Sequence, residues 1–257
     1  MTNLMFIIAV IIEIGLPIAL AIWLTRRYKF GWGIVGVGVL TFIASQIVHI
    51  PLLAGLGSGL NTLGISFPSG FLGAVLSGLY LGLLAGLCEE PMRYFGFKLL
   101  KKRAEPIEAG VLAGAGHGGI ESIFVGISVL ANMLIAYLLT NTSVQIPGLT
   151  PEMMASITSA PWYAPLLGAF ERIFAIILHI TLSLIVWHSV TQKKAGWLLL
   201  AILYHMFVDA VSVFMANMGV NMILIEAALL VLTGLNIWLL FQMKKHWKKP
   251  ETVEAAL

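Results

Sequence analysis

Apolar residues run along this chain in long continuous blocks, and polar residues gather in the short stretches between them. A membrane β-barrel would instead alternate polar and apolar positions in segments of about ten, so the pattern predicts an all-α protein. A hydrocarbon core takes roughly 20 apolar residues per helical crossing. Seven blocks are long enough: about 4–24, 33–55, 71–97, 107–139, 166–190, 196–215 and 221–243. The fourth exceeds one crossing, which predicts tilt, a break or an extension past the bilayer. Its glycines at 110, 114, 116, 118 and 119 predict close helix packing or a local break. With no repeat of 20–50 residues and no soluble segment of domain size, residues 1–257 read as a single transmembrane domain.

Composition agrees. Of 257 residues, 59% are hydrophobic and 11% charged, and mean hydropathy is +0.96. So few charges cannot cover a soluble fold of this size, which excludes a soluble enzyme, a disordered chain and a nucleic-acid binder. The expected setting is a lipid bilayer, as a multi-pass protein of a bacterial plasma membrane. The positive charges set the expected topology. Arg26, Arg27 and Lys29 follow block one, Lys98, Lys101, Lys102 and Arg103 follow block three, Lys193 and Lys194 follow block five, and Lys244, Lys245, Lys248 and Lys249 follow block seven. The intervening loops, about 56–70, 140–165 and 216–220, carry no Lys or Arg. The positive-inside rule then places the N-terminus outside and the C-terminus in the cytoplasm. Block one has no basic residue before it, unlike a cleaved signal peptide. The net charge of +3 reflects this topology and is not a sign of an anionic partner. Loop 140–165, with Pro147, Pro151, Pro161 and Pro165, reads as an ordered cap anchored by Met153, Met154, Trp162 and Tyr163. A single cysteine, Cys88, excludes an internal disulfide and a multi-cysteine zinc site.

What changes the picture is the set of ionisable residues inside the blocks. Such groups are costly in lipid and mark function by default. Block three carries Glu89, Glu90 and Arg93, and block four His117 and Glu121. Block five carries Glu171, Arg172, His179 and His188, and block six His205 and Asp209. At about 1.5 Å per residue, Glu89 and Glu90 lie roughly 12–14 Å from the cytoplasmic edge, and His117, His179 and His205 roughly 14–16 Å. Four successive helices thus bring carboxylates and imidazoles to one level. Glu89 and Glu90 stand one turn from Arg93, and His117–Glu121 and His205–Asp209 are both i,i+4, so each set shares a helix face. Pro91 removes a helical hydrogen bond beside the glutamates and predicts a hydrated cleft there. Glu171 and Arg172 read as a structural ion pair. His49 reads as an interface residue, His188 as a snorkelling or capping one, and Glu13 and Glu226 as hydrogen-bonded buried groups outside the four-helix set.

Motifs on these helices resemble a known superfamily. Cys88-Glu89-Glu90-Pro91-Met92-Arg93 resembles the Glu-Glu-x-x-(x)-Arg motif of the type II CAAX prenyl endopeptidase and bacteriocin-processing (CPBP) superfamily. Gly116-His117-Gly118-Gly119-Ile120-Glu121 is similar to the second motif of its YhfC-type branch. His205-Met206-Phe207-Val208-Asp209 resembles the final His-x-x-x-(Asn/Asp) motif, and Glu171-Arg172 with His179 is similar to a helix of the PrsW-like members. The resemblance covers about residues 71–215 and implies a YhfC-type intramembrane metallopeptidase. Two departures stand out. Glu90 and Arg93 are separated by two residues rather than three, and His117-x-x-x-Glu121 stands where Phe-x-x-x-His is usual. CAAX cleavage is therefore not carried over, and because the superfamily includes a γ-secretase scaffold subunit, the resemblance implies fold more firmly than activity.

The residues themselves point to hydrolysis. Peptide cleavage needs an activated water, a general base and stabilisation of the developing oxyanion. Glu89 or Glu90 is the candidate base and Arg93 the group that orients them. His117, His179, His205 and Asp209 are candidate ligands for Zn²⁺ or another divalent metal, with Glu121 a ligand or a partner that orients one. A metal-free site, in which glutamate and histidines bind water directly, is the alternative. A Cys88 nucleophile is disfavoured because neighbouring carboxylates suppress the thiolate. The expected substrate is a membrane-associated protein or peptide. A proton- or solute-coupled transporter and a non-catalytic scaffold are the rival functions, although the paired broken helices of a transporter are not evident.

Overall fold

The computed structural model describes residues 2–101, 106–142, 148, 150–159 and 161–247. Lys102, Arg103, Pro147, Lys248 and Lys249 lie outside the described residues. All seven expected crossings are helices long and apolar enough to span a bilayer. They are α1 (Leu4–Tyr28), α2 (Trp32–Thr62), α3 (Phe71–Lys101), α4 (Ile107–Asn141), α6 (Ala164–Gln192), α7 (Ala195–Asn217) and α8 (Met222–His246). A short helix, α5 (Pro151–Ser159), lies in the connection read as a cap, where Met153 and Trp162 are exposed. Among the described residues there is no strand. The chain is an all-α, integral, multi-pass membrane protein.

The long fourth crossing is one uninterrupted helix. Its glycines serve packing rather than a break. Its far half leaves the bundle, with Phe124, Ile127, Leu130, Leu134 and Tyr137 exposed. α2 does the same beyond Gln46, and both α2 and α3 continue as helices through a proline, Pro51 and Pro91. α1 contains one π-helical turn, Ile11–Gly15, whose wider winding presents the Glu13 carbonyl to the Ser122 hydroxyl at 2.7 Å.

α6 is the most enclosed crossing. Its Leu182, Val186 and Trp187 form the core with Phe97 of α3 and Leu112 of α4, and Phe97 meets Trp187 edge to face at 5.6 Å. Hydrophobic burial cannot drive helices together inside lipid, so close van der Waals packing must do so. Glycines supply it along three seams. Gly78, Gly82 and Gly86 recur every four residues on α3 and let it touch the backbone of α7, where a Cβ at Gly82 would lie 2.5 Å from the Met206 carbonyl oxygen. On the α2–α4 seam, Cβ atoms at Gly38 and Gly116 would lie 1.9 Å from the Ala113 oxygen and 2.2 Å from the Val35 oxygen. Gly110, Gly114 and Gly118 of α4 lie against α6, Gly118 beside His179.

Gly38→Ala therefore forces two backbones apart. It is expected to destabilise the protein by about 1–3 kcal/mol or more, the range of overpacking. Gly55→Ala, on the same helix with nothing within 4 Å of the added carbon, is expected to be neutral or to stabilise slightly through helix propensity. Thermal unfolding of the two variants in detergent micelles checks the contrast.

Candidate active site

Each glycine seam ends at a polar side chain. The α3–α7 seam brings Glu90 to His205, the α2–α4 seam brings Thr41 to His117, and the α4–α6 seam brings Glu121 to His179. The three imidazoles gather about one centre, with ring centroids 5.0 Å apart for His117–His179 and 5.6 Å for His179–His205. All three, with Glu89, Glu90 and Arg93, are buried.

The two adjacent glutamates have different surroundings. Glu90 is fully buried, and Arg93 Nη1 donates to both its oxygens at 2.7 and 2.6 Å. Its Oε1 also receives His205 Nδ1 at 2.8 Å. Glu90 does not line the central cavity. Glu89 does: its Oε1 accepts from Gln46 Nε2 at 3.2 Å, and its Oε2 faces His117 Nε2 at 3.1 Å.

Hydrogen-bond accounting assigns the proton on two of the rings. The Thr41 hydroxyl donates its one proton to the Gly38 carbonyl at 2.7 Å, so the 2.9 Å contact with His117 Nδ1 has the ring as donor. His117 Nε2 then carries a lone pair and faces a carboxylate oxygen. His179 is the reverse case. Its Nδ1 meets Arg93 Nη2, which can only donate, at 3.0 Å, so its Nε2 bears the proton and lies 2.5 Å from Glu121 Oε2. His205 Nε2 lies 3.4 Å from Asp209 Oδ2.

Glu121 and His117 share a helix face, but they do not pair. Glu121 takes His179 and, at 2.7 Å, Arg172 Nη1, while Arg172 Nη2 holds Glu171. Arg172 thus ties α6 to α4, as expected for a structural ion pair. Glu13 and Glu226 differ from expectation. Neither Glu13 oxygen, nor Glu226 Oε2, has a hydrogen-bond partner among the described residues. The π turn in α1 and the glycines facing it, Gly126 and Gly168, enclose Glu13 without offering a donor. His188 stacks edge-on against Trp197 at 4.7 Å and Trp247 at 5.3 Å.

These groups border a cavity of about 290 Å³ lined by α2, α3, α4, α6, α7 and α8. Glu89, Glu121, His179, His205 and Asp209 face it. So does His49, which was expected at the interface: α2 presents Gln46 and His49 to the cavity before it leaves the bundle. Thr41, Gln46 and Asn236 were not anticipated from sequence. Thr41, Ser45 and His49 recur at one-turn intervals on α2, with Gln46 one turn before His49, and that spacing was the signal available.

Glu89, His117 and His179 each bring one ligand atom within 4.8 Å of the others. His205 and Asp209 stand outside that group, on the cavity wall. The donor types fit a divalent ion. Two donors about 2.0–2.1 Å from one Zn²⁺ lie roughly 3.3–3.4 Å apart at the tetrahedral angle, and the 3.1 Å between His117 Nε2 and Glu89 Oε2 is a little shorter, within reach of one ion. Two acceptors at that distance need a cation or a proton between them. At His179, an ion on Nε2 would displace its proton, with Glu121 as the nearest acceptor.

A seven-crossing helical membrane protein with buried glutamates, histidines and a possible Glu/His/His metal group is the class that fold and site define. The chain belongs to the YhfC intramembrane metalloprotease family, whose profile matches residues 11–246. It is 32% identical over 205 residues to the "Uncharacterized membrane protein YhfC" of Bacillus subtilis (strain 168), a match covering 74% of this chain and 76% of that protein. No solved structure matches. The matched range includes α2 and α8, beyond the 71–215 of the sequence motifs.

Breaking one half of a fully buried ion pair leaves the other charge uncompensated. Arg93→Met is expected to destabilise the protein by about 3–5 kcal/mol, whereas Glu89→Gln, at the cavity wall with Gln46 still beside it, is expected to shift unfolding little. Thermal unfolding of both variants in micelles checks the difference.

Proposed function

We propose that this protein is an intramembrane peptidase, glutamate-dependent and metal-assisted, that hydrolyses peptide bonds of membrane-associated proteins or peptides in a bacterial plasma membrane. The observation that carries this reading is the facing pair Glu89 Oε2 and His117 Nε2 on a cavity wall at membrane depth. Glu89 is the base of the two glutamates, because Glu90 is spent on Arg93 and His205. With the N-terminus outside, cleavage takes place toward the cytoplasmic third of the bilayer.

Glu89 accepts a proton from a water in the cavity as the water oxygen attacks the carbonyl carbon, and it returns that proton to the leaving nitrogen as the C–N bond breaks. Gln46 holds the other Glu89 oxygen and so keeps Oε2 on the reacting side. Glu90 and Arg93 do not touch substrate. They position His205 and His179. His205 and Asp209 form a wall of the cavity and contact the water or the peptide. His117 and His179, with Glu89 in reach, would hold the divalent ion, Zn²⁺ being the best match to a nitrogen-and-oxygen donor set. Bound there, the ion acts as a Lewis acid that polarises an oxygen and lowers the pKa of a water.

Full-length protein in liposomes is expected to cleave a membrane-tethered reporter peptide, and Glu89→Gln to slow it by about 10²–10⁴, the contribution of a general base. Cleavage at the wild-type rate by Glu89→Gln would sink the assignment. Elemental analysis is expected to find about one divalent ion per chain. His117→Ala is expected to abolish it, and Thr41→Val to weaken affinity about 10–100-fold through loss of the acceptor that sets the His117 tautomer. Cleavage that persists after removal of all metal would establish the metal-free variant of the site instead.

A further inference from the structure

Hydrolysis builds negative charge on the carbonyl oxygen, and stabilising it takes a hydrogen-bond donor fixed in place beforehand. Arg93 is the cation at the centre, but it is fully buried, committed to Glu90 and His179, and absent from the cavity wall. The donors that do line the cavity are mostly spent. Gln46 donates to Glu89, Arg172 to Glu121 and Glu171, and the Thr233 and Ser212 hydroxyls to the Leu229 and Val208 carbonyls of their own helices.

Asn236 of α8 is different. It is 1% exposed yet lines the cavity. The Tyr204 hydroxyl, from the residue preceding His205 on α7, donates to Asn236 Oδ1 at 3.0 Å. That bond fixes the amide plane and leaves Nδ2, with its two N–H groups, without a partner among the described residues. His49 also has no hydrogen-bond partner among the described residues, but no contact fixes its ring in one orientation, whereas Asn236 is anchored from behind. Depth agrees as well. Asn236 lies ten residues before the end of α8 and Glu89 twelve before the end of α3, both roughly 15–18 Å from the same side. Glu89 and Asn236 thus line one cavity of about 290 Å³, at the small end of ligand pockets, and at one depth.

We propose that Asn236, held by Tyr204, donates Nδ2–H to the carbonyl oxygen of the bound peptide bond, and that Tyr204 is its positioning residue. This rests on the peptidase reading above. α8 thereby enters the active site, although no sequence motif lies on it.

Cleavage of the tethered reporter by full-length Asn236→Asp, Asn236→Gln and Tyr204→Phe in liposomes tests the assignment, with thermal unfolding measured in parallel. Asn236→Asp keeps the shape and loses the donor. Its kcat is expected to fall about 10²–10³ with KM nearly unchanged. Asn236→Gln, which restores an amide donor, is expected to recover at least about tenfold of that loss, and Tyr204→Phe to lower kcat about tenfold by releasing the amide, both estimates scaled from the single-donor effect. Wild-type kcat in Asn236→Asp, a loss confined to KM, or Asn236→Gln as defective as Asn236→Asp with both unfolding early would overturn the proposal while leaving the peptidase reading intact. A wild-type protein that cleaves nothing while Glu89→Gln behaves identically overturns the peptidase reading, and this proposal with it.

Discussion

The close approach of helix backbones through glycine is the constraint on which the rest depends. Lipid exerts no hydrophobic pressure between helices, so contact must come from packing, and packing is tightest where no side chain intervenes. Each of the three seams, α3–α7, α2–α4 and α4–α6, has added carbons projected within 3 Å of a neighbouring helix. These short separations let side chains as short as Thr41 and Glu90 reach rings on the next helix at 2.8–2.9 Å. Wider helix spacing would strand the same residues as unpaired polar groups in a low-dielectric interior.

Pairing inside this core follows from donor and acceptor inventory. Arg93 has only donors, so it settles on the Glu90 carboxylate and on the one ring nitrogen that presents a lone pair to it. That choice fixes the His179 proton on the opposite nitrogen, toward Glu121, and Glu121 in turn is shared with Arg172. One buried cation thus orients two histidines, one through Glu90 and one directly. Glu89, one residue from Glu90, falls outside this network because successive helical residues point about 100° apart, and it keeps an oxygen on the cavity. The division between a committed carboxylate and an available one is a division of faces on a single helix.

Much of the architecture could be read from the residues. Blocks of apolar residues marked the seven crossings, six of them within about four positions and the second ending seven residues later than read, at Thr62, since lipid thickness dictates their length. The four helices carrying ionisable groups were legible because charge at membrane depth is costly and must converge. Pairing was less legible. The i,i+4 spacing of His117 and Glu121 put them on one helix face but did not give their partners, and Glu121 turns to α6, where Arg172 supplies a full positive charge. His49 reads as an interface residue from its place near the end of block two, and Thr41 and Gln46 carry no charge to mark them, although neutral polar groups accept and donate equally well at a cavity wall. Glu13 and Glu226 were expected to find donors. Spacing along one helix could not reveal that glycines face Glu13, or that Arg172 is committed to Glu121 and Glu171.

By itself the sequence determined that this protein is helical, that it crosses the membrane seven times, and that most of its intramembrane carboxylates and all three clustered histidines sit on the third to sixth crossings. Those properties follow from hydropathy and from depth along a helix axis, both of which are local. Only the tertiary structure decided which glutamate faces the cavity, which nitrogen of His117 and of His179 carries the proton, and that the second and seventh crossings border the same space. These depend on the rotation of each helix about its axis and on its distance from neighbours, and both are set by how glycine-lined faces fit together.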